Sequence, residues 1–431
     1  MFRKISCKLF GLAVAGSMLA ITASGAHAGP KAYIGNFADN TVSVVDTSSG
    51  RTIATIPVAA GPHGMAISQD GGTVYVAGDG SSSLDVIDTA SDRVTKTIEV
   101  GPKPNGITLT PDGKLLLVTV YGEDRIALID TATNDVVGTI PVPKPHTVSV
   151  EPDGKLAYAT SQEPGHFGIA VIDLASRSVV RTVPLDKTPR DGEFGDGGKR
   201  FYFTEAGVAA VQVLDPTLDK IVAEIPTGVS PHFVDLFAGT KFGVVVVQGP
   251  GQLMLFDPET NKEVRNIAVG KQPHWLALSG DGKTGYVTNE GSNDMSVVDL
   301  DSGKVTAIAV GQGPRKLVVQ GAKRTAAAAG GGAKVSIANF AFNPGSITIH
   351  PGEGVTWSND DGSPHALVFN DGVGGTLSLS PGQTFTRTFA QAGTYDYSLL
   401  VPSLHDCEGG GWLTPRNAPA PSFLRKSGGC R

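Results

Sequence analysis

The sequence predicts an all-β protein: a seven-bladed β-propeller followed by a second, smaller β domain. Three observations carry this reading. Seven aspartates, Asp46, Asp88, Asp130, Asp173, Asp215, Asp257 and Asp299, recur at intervals of 42 or 43 residues, and each ends a short run such as VSVVD, LDVID or MSVVD. A period of that length is the length of one propeller blade, and a blade buries both faces only inside a closed ring. Glycine-bearing turns fall between apolar alternations throughout, and a new alternation starts after a low-complexity break at residues 321–333.

Composition and charge narrow the function. The chain has 431 residues, with 56 glycines and 28 prolines, as suits many short strands joined by tight turns. Its net charge is −6, and −9 without residues 1–28, which carry Arg3, Lys4 and Lys8 and no acids. Such a surface does not favour nucleic acid or anionic lipid. Residues 1–28 read as a signal peptide: a basic start, an apolar stretch from Leu9 to Ile21 and a small-residue cleavage site at Ala26-His27-Ala28. The apolar stretch is short for a membrane span, and no later segment is long enough. The expectation is a periplasmic or extracellular protein without a membrane span. Cys7 falls in the leader, and Cys407 and Cys430 near the end make no disulfide framework.

The propeller is placed at residues 30–320. Each repeat holds four strand-like pieces, as in HWLALS, TGYVTN, MSVVD and KVTAIAVG. Asp70-Gly71, Asp112-Gly113, Asp153-Gly154 and Asp196-Gly197 suit the left-handed backbone of two-residue hairpins. The first repeat begins at its second strand and the last ends after its first, so the two termini are expected to share one blade and remove an exposed edge. The repeated aspartates are read as turn formers with local backbone bonds.

One position per repeat is singled out. The residue after the repeated proline is His63, Asn105, His146, Arg190, His232, His274 and Arg315 in turn. All seven open the innermost strand of a blade, so they should ring one mouth of the channel. Such a ring could bind a metal, an anion or an acidic side chain of a partner. The plainer alternative is a polar lining whose histidines bond to neighbouring backbone. His166, in a blade loop, is read as simply exposed. No nucleophile elbow and no phosphate-binding loop is visible.

This stretch resembles the YVTN family of bacterial β-propeller repeat proteins. The motif stands literally at Tyr286-Val287-Thr288-Asn289, and the family scheme recurs in Val86-Ile87-Asp88, Gly101 to Gly106 and Pro111-Asp112-Gly113. The resemblance implies the fold and says little of function. Nitrous oxide reductases join a similar propeller to a copper domain, but they need a full set of seven axial histidines. The ring here keeps four, and the fixed cations Arg190 and Arg315 oppose a cationic cluster.

Residues 321–333 are read as a flexible linker. Residues 334–397 then resemble the cupredoxins of the plastocyanin and amicyanin type. The matched features are Phe340-Ala341-Phe342-Asn343-Pro344, Pro351-Gly352, Val355 to Asn359, Pro364-His365, Ser380-Pro381-Gly382 and Gly393-Thr394-Tyr395-Asp396-Tyr397. The resemblance implies a β-sandwich, one type 1 copper with His365 as its first ligand, and electron transfer to a redox partner protein. His350 is read as exposed. Residues 398–431 depart from the family. They lack its His-Cys-x-x-His-Pro-x-Met loop and the strand after it, so the other ligands and the last strand are expected to be absent as written. His405 and Cys407 have the wrong spacing to substitute.

A one-base shift near Ser398 accounts for the departure. Codons allowed for residues 398 to 413, read with the first base dropped, spell His-Cys-Ser-Phe-His-Pro-Ser-Met, a valine-rich strand and a stop. The positions now held by Leu399, Pro402 and His405 then read as cysteine, histidine and methionine. Residues 398–431 are accordingly read as an out-of-frame tail. The leading expectation is an exported blue-copper electron carrier with a propeller docking domain, and no enzyme. With the ligand loop intact it holds one copper, and otherwise none. The alternatives are an enzyme or a metal or anion site at the axial ring, or a structural cell-surface propeller with a vestigial cupredoxin. Against a propeller enzyme served by a cupredoxin, as methylamine dehydrogenase is, no cofactor-forming tryptophan pair and no CxxCH stands in the chain.

Overall fold

A computed structural model describes residues 30–236, 242–279, 281–321, 333–347, 349, 354–369, 377–388, 395–402 and 412–413. The signal-peptide reading, the linker, His350, His405, Cys407 and Cys430 lie outside the described residues, save the linker's first and last positions.

Seven four-stranded antiparallel sheets form the propeller. We number as blades 1 to 6 the sheets whose innermost strands are Pro62–Ile67, Pro104–Leu109, Pro145–Val150, Pro189–Gly195, Pro231–Leu236 and Pro273–Leu278. The closing blade takes its innermost strand, Pro314–Val319, from the far end of the domain. That strand pairs antiparallel with Lys31–Asn36, setting Ala32 opposite Val319 and Ile34 opposite Leu317. Each innermost strand touches the next around the ring, and Pro314–Val319 touches Pro62–Ile67. The expected ring closure is present.

Local chemistry explains the repeat. Each of the seven aspartates accepts a backbone N–H two or three residues ahead, as from Ser49 to Asp46 at 2.7 Å and from Ser302 to Asp299 at 2.7 Å. They are turn formers, as read. The Asp-Gly glycines do adopt left-handed backbone, with φ of 71° at Gly71 and Gly113. The connections are longer than two-residue hairpins, because Asp70 folds residues 68–72 around itself, accepting from Ser68 Oγ and from Gly72 N at 2.9 Å.

Blades pack face to face through alternating apolar residues such as Val74, Val76, Leu116 and Val118, all nearly or fully buried. The innermost strands approach so closely that a Cβ on Gly64 would lie 1.9 Å from the Asn105 carbonyl oxygen. Near the rim, Lys31 and Asp92 join the closing blade to blade 1 at 2.7 Å, and Tyr33 Oη donates to the same carboxylate at 2.6 Å.

The second domain is a sandwich of two four-stranded sheets. One holds 341–343, 333–338, 354–359 and 384–388, with 333–338 and 354–359 parallel. The other holds 377–379, 365–369, 397–402 and 412–413. Fully buried Trp357 packs edge-on to Phe369 and Tyr397, both at 5.2 Å. The strand Tyr397–Pro402 runs past residue 397, where the sequence reading ended the domain. Leu399 is the reason: it is 2% exposed and joins the core beside Leu367. The last strand shrinks to Trp412–Leu413, paired with Val401 and Pro402.

Gly64→Ala should strain the contact between blades 1 and 2 and cost about 1–3 kcal/mol or more. Chemical unfolding of the full chain reads this as a lower midpoint with an unchanged slope.

Candidate functional site

Two places concentrate chemistry: the propeller hub and the pole of the sandwich around His365.

At the hub the four histidines of the seven singled-out positions lie close together. The His63 ring centre lies 6.1 Å from that of His146 and 5.8 Å from that of His274, and His232 and His274 are 4.0 Å apart. His146 Nδ1 donates to the Arg190 carbonyl oxygen at 2.8 Å, the backbone bond of the plainer reading. Nδ1 of His232 and Nδ1 of His274 are buried without a hydrogen-bond partner. All four histidines are pushed below their ordinary range, first by burial. They are therefore neutral imidazoles at neutral pH.

The arginines need a correction. Arg315 does not stand as a bare cation: it pairs with Glu290 at 3.1 Å and lies 3.5 Å over the Phe37 ring. Arg190 turns to Ser230 Oγ at 3.2 Å and Gln248 Oε1 at 3.5 Å. Asn105 is buried, with its Oδ1 unpartnered. His166 is exposed, as read. Among the described residues no three His, Cys, Asp or Glu side chains converge as a metal cage.

One layer deeper sit groups that sequence reasoning missed: Asp191, Glu193, Asp235 and Lys316. Burial raises Asp191 to about 6. Burial, then Asp191, raises Glu193 to about 8. Burial, then Glu193, raises Asp235 well above its ordinary range, and burial lowers Lys316. Their one sequence signal was that they break the repeat at hub positions.

In the sandwich His365 is fully buried at the start of the strand His365–Phe369. Its Nε2–H donates to Asp361 Oδ2 at 2.7 Å, and its Nδ1 is buried without a partner. The same carboxylate accepts the Asn339 N–H at 2.6 Å and the Phe340 N–H at 2.9 Å. Both donors have left-handed backbone, with φ of 53° and 60°, which is strained for an aromatic residue. Phe340 in turn meets the His365 ring edge-on at 5.4 Å. Burial pushes the Asp361 carboxyl up, but the Phe340 N–H, the His365 ring and the Asn339 N–H outweigh it and hold it below the ordinary range. A carboxylate on one imidazole nitrogen fixes the tautomer and leaves the other free to bind a metal.

A family model described as copper-binding proteins of the plastocyanin/azurin family matches residues 330–407. Plastocyanin of Scenedesmus fuscus is 39% identical over 67 residues, which span 13% of this chain and 68% of that protein. The chain belongs to the plastocyanin/azurin family through its second domain. Amicyanin of Paracoccus denitrificans is 35% identical over 74 residues, 16% of this chain and 56% of that protein. A YNCE-like β-propeller model matches residues 14–114. Among solved structures, hydrazine synthase of Kuenenia stuttgartiensis superposes with a TM-score of 0.58 at 23% identity, over 66% of this chain and 99% of that one. A dihydro-heme d1 dehydrogenase superposes with 0.53 at 18%, over 68% and 75%. At these identities the likeness is one of fold.

The plastocyanin/azurin domain presents one nitrogen fit for copper, His365 Nδ1. Its described residues offer no thiolate or thioether beside it, because Leu399 and its neighbours in Tyr397–Pro402 carry none. Among the described residues no type 1 site is completed.

Hub stability should depend on pH in two opposed ways. His232 is lowered from 6.5 to about 3, so below 6.5 the unfolded chain takes up protons first and stability falls as pH drops toward 3. Glu193 is raised from 4.5 to about 8, so its contribution is whole below 4.5 and is lost as pH rises to about 8. Unfolding measured across pH should show His232→Asn flattening the first limb and Glu193→Gln the second; slopes identical to the parent's would refute the assignment.

Asp361→Asn should weaken the sandwich by about 1–3 kcal/mol at neutral pH. Because the folded carboxyl titrates below its ordinary range, the parent's advantage should vanish on acidification through that folded value. Nitrogen NMR of the His365 ring should show the loss of its single tautomer.

Proposed function

We propose that this protein is an exported electron carrier. Its plastocyanin-like domain carries a single copper once the ligand loop is intact, and its propeller docks a redox partner and keeps that domain near it. The observation that carries the reading is His365. A buried imidazole tied by Nε2 to a carboxylate, with Nδ1 left bare, is a metal ligand already set in place. The family match and its curated relatives support copper as the metal. Bound there, copper supplies one-electron chemistry. This chain's own contribution is to orient the nitrogen through Asp361 and to set the ring against Phe340.

The missing ligands follow from a shifted reading frame near Ser398. Leu399 supports this, since it sits buried next to the strand that begins with His365, where the shifted frame supplies cysteine. Tethering the carrier to a docking module raises its effective concentration at a shared partner. Export agrees with the leader of the sequence. Among the described residues no helix is long and apolar enough to cross a membrane.

Genomic DNA sequenced across codons 390 to 415, together with expression of both frames, tests the reading. The restored frame should bind one copper per chain and show an intense blue absorption that bleaches reversibly on reduction. His365→Ala should abolish the colour, and the chain as written should show none. A restored-frame protein that folds and stays colourless with copper would sink the proposal.

A further inference from the structure

The polar ring at the hub recurs because the blades recur. The layer beneath it does not. One residue past the ring, blades 1 to 3 carry Gly64, Gly106 and Thr147, whereas blade 4 round to the closing blade carry Asp191, Phe233, Trp275 and Lys316. Two residues further, blades 4 and 5 add Glu193 and Asp235 where blades 1 and 6 have Ala66 and Ala277. Blade repetition does not account for charge confined to one arc.

That arc is out of balance. Asp191 is 4% exposed and Asp235 5%. Asp191 Oδ1 accepts the N–H of Gly192 at 2.8 Å, and the Thr147 side chain also bonds to this carboxyl. Asp235 Oδ1 has no hydrogen-bond partner, and neither has Nδ1 of His274, 5% exposed in the ring above. Leaving such groups buried and unpaired is costly. The Lys316 ammonium acts on Asp191 and Glu193 and not on Asp235, and the ring histidines are held neutral by burial. Lys316 Nζ lies 3.8 Å from the centre of the Trp275 ring, which stacks on Phe233 at 3.7 Å. Burial raises Asp191 and Glu193 although Lys316 opposes the shift in both, and no cation opposes it in Asp235.

We infer that this arc of the hub is a binding site for a small organic cation, an alkylammonium or guanidinium group held by Asp191, Glu193 and Asp235. A bare metal ion fits less well, since the described side chains do not converge as a cage. Spread carboxylates instead suit a cation with several N–H donors. Lys316 against Trp275 shows that the layer already accommodates an alkylammonium group. The inference stands whether or not the second domain holds copper.

Calorimetric titration of the full chain tests it. The probes are methylguanidinium and n-butylammonium chloride, with calcium chloride and sodium butyrate as controls at matched ionic strength. At least one organic cation should bind saturably. The paired substitution Glu193→Gln with Asp235→Asn should weaken it tenfold or more, and Thr108→Val on the opposite arc should leave it unchanged. Both members of the pair are near-isosteric with the protonated carboxyls they replace, so the variant should melt close to the parent at neutral pH. Should it fail to fold, Asp191→Asn alone answers the question. Saturable binding of calcium only, of neither organic cation, or of an organic cation with undiminished affinity in the folded variant overturns the inference.

Discussion

The pairing of Pro314–Val319 with Lys31–Asn36 is the constraint on which the rest of the propeller depends. It joins segments nearly the whole domain apart, and loop closure over such a distance carries an entropic cost that grows only slowly with length. Strand pairing and burial offset it: Ala32, Ile34, Leu317 and Val319 are all at most 3% exposed. Gln320 adds a clasp, accepting from Lys31 N at 3.1 Å and donating to the Gly71 carbonyl at 3.0 Å. Without this pairing the innermost strands have no reason to circle an axis. His63 would not meet His274, nor would Lys316 share a layer with Asp191.

Closure also explains why the hub can hold what no single blade could. Each blade brings one innermost strand, and glycine at 64 and 106 lets neighbouring backbones come into direct contact. Side chains from blades remote in sequence are thereby packed into a space that excludes most water. Imidazoles there lose their charge, and carboxyls keep their protons to higher pH, because burial disfavours the ionised form of either. The fold's regularity supplies the geometry. Chemical individuality comes from the few positions that depart from it.

The same distinction sets what was legible in the sequence. Blade number and closure could be read from Asp46 and its equivalents, because an Asx-type turn demands the same residue at the same place in each repeat. The ring from His63 to Arg315 could be read because its position repeats even where its residue does not. Asp191, Glu193, Asp235 and Lys316 were missed: they depart from the repeat at hub positions, but only the closed ring brings them together. Nor could the neutralisation of Arg315, whose partners Glu290 and Phe37 come from other strands' ends. In the second domain His365 stood out by its family context, while Asp361 did not. A four-residue spacing in a loop has no periodicity to announce a hydrogen bond.

In the second domain, fold and metal chemistry are separable. The core around Trp357, Phe369, Tyr397 and Leu399 is apolar and aromatic, and it needs no metal to hold it together. Leucine at 399 packs there well enough for the strand to continue to Pro402. Small zinc domains behave differently, because they have no such core and unfold when the metal leaves. The family likeness of residues 330–407 therefore reports the sandwich, whereas copper binding turns on a short loop at its end. His365 joins the two: its Nε2 is spent on the fold through Asp361, Asn339 and Phe340, and its Nδ1 has no partner within the fold. A buried nitrogen with no structural duty is costly to keep in a domain that has no use for metal. Its presence beside a strand bearing Leu399 is what supports our proposal that the ligand loop, and not the domain, is altered.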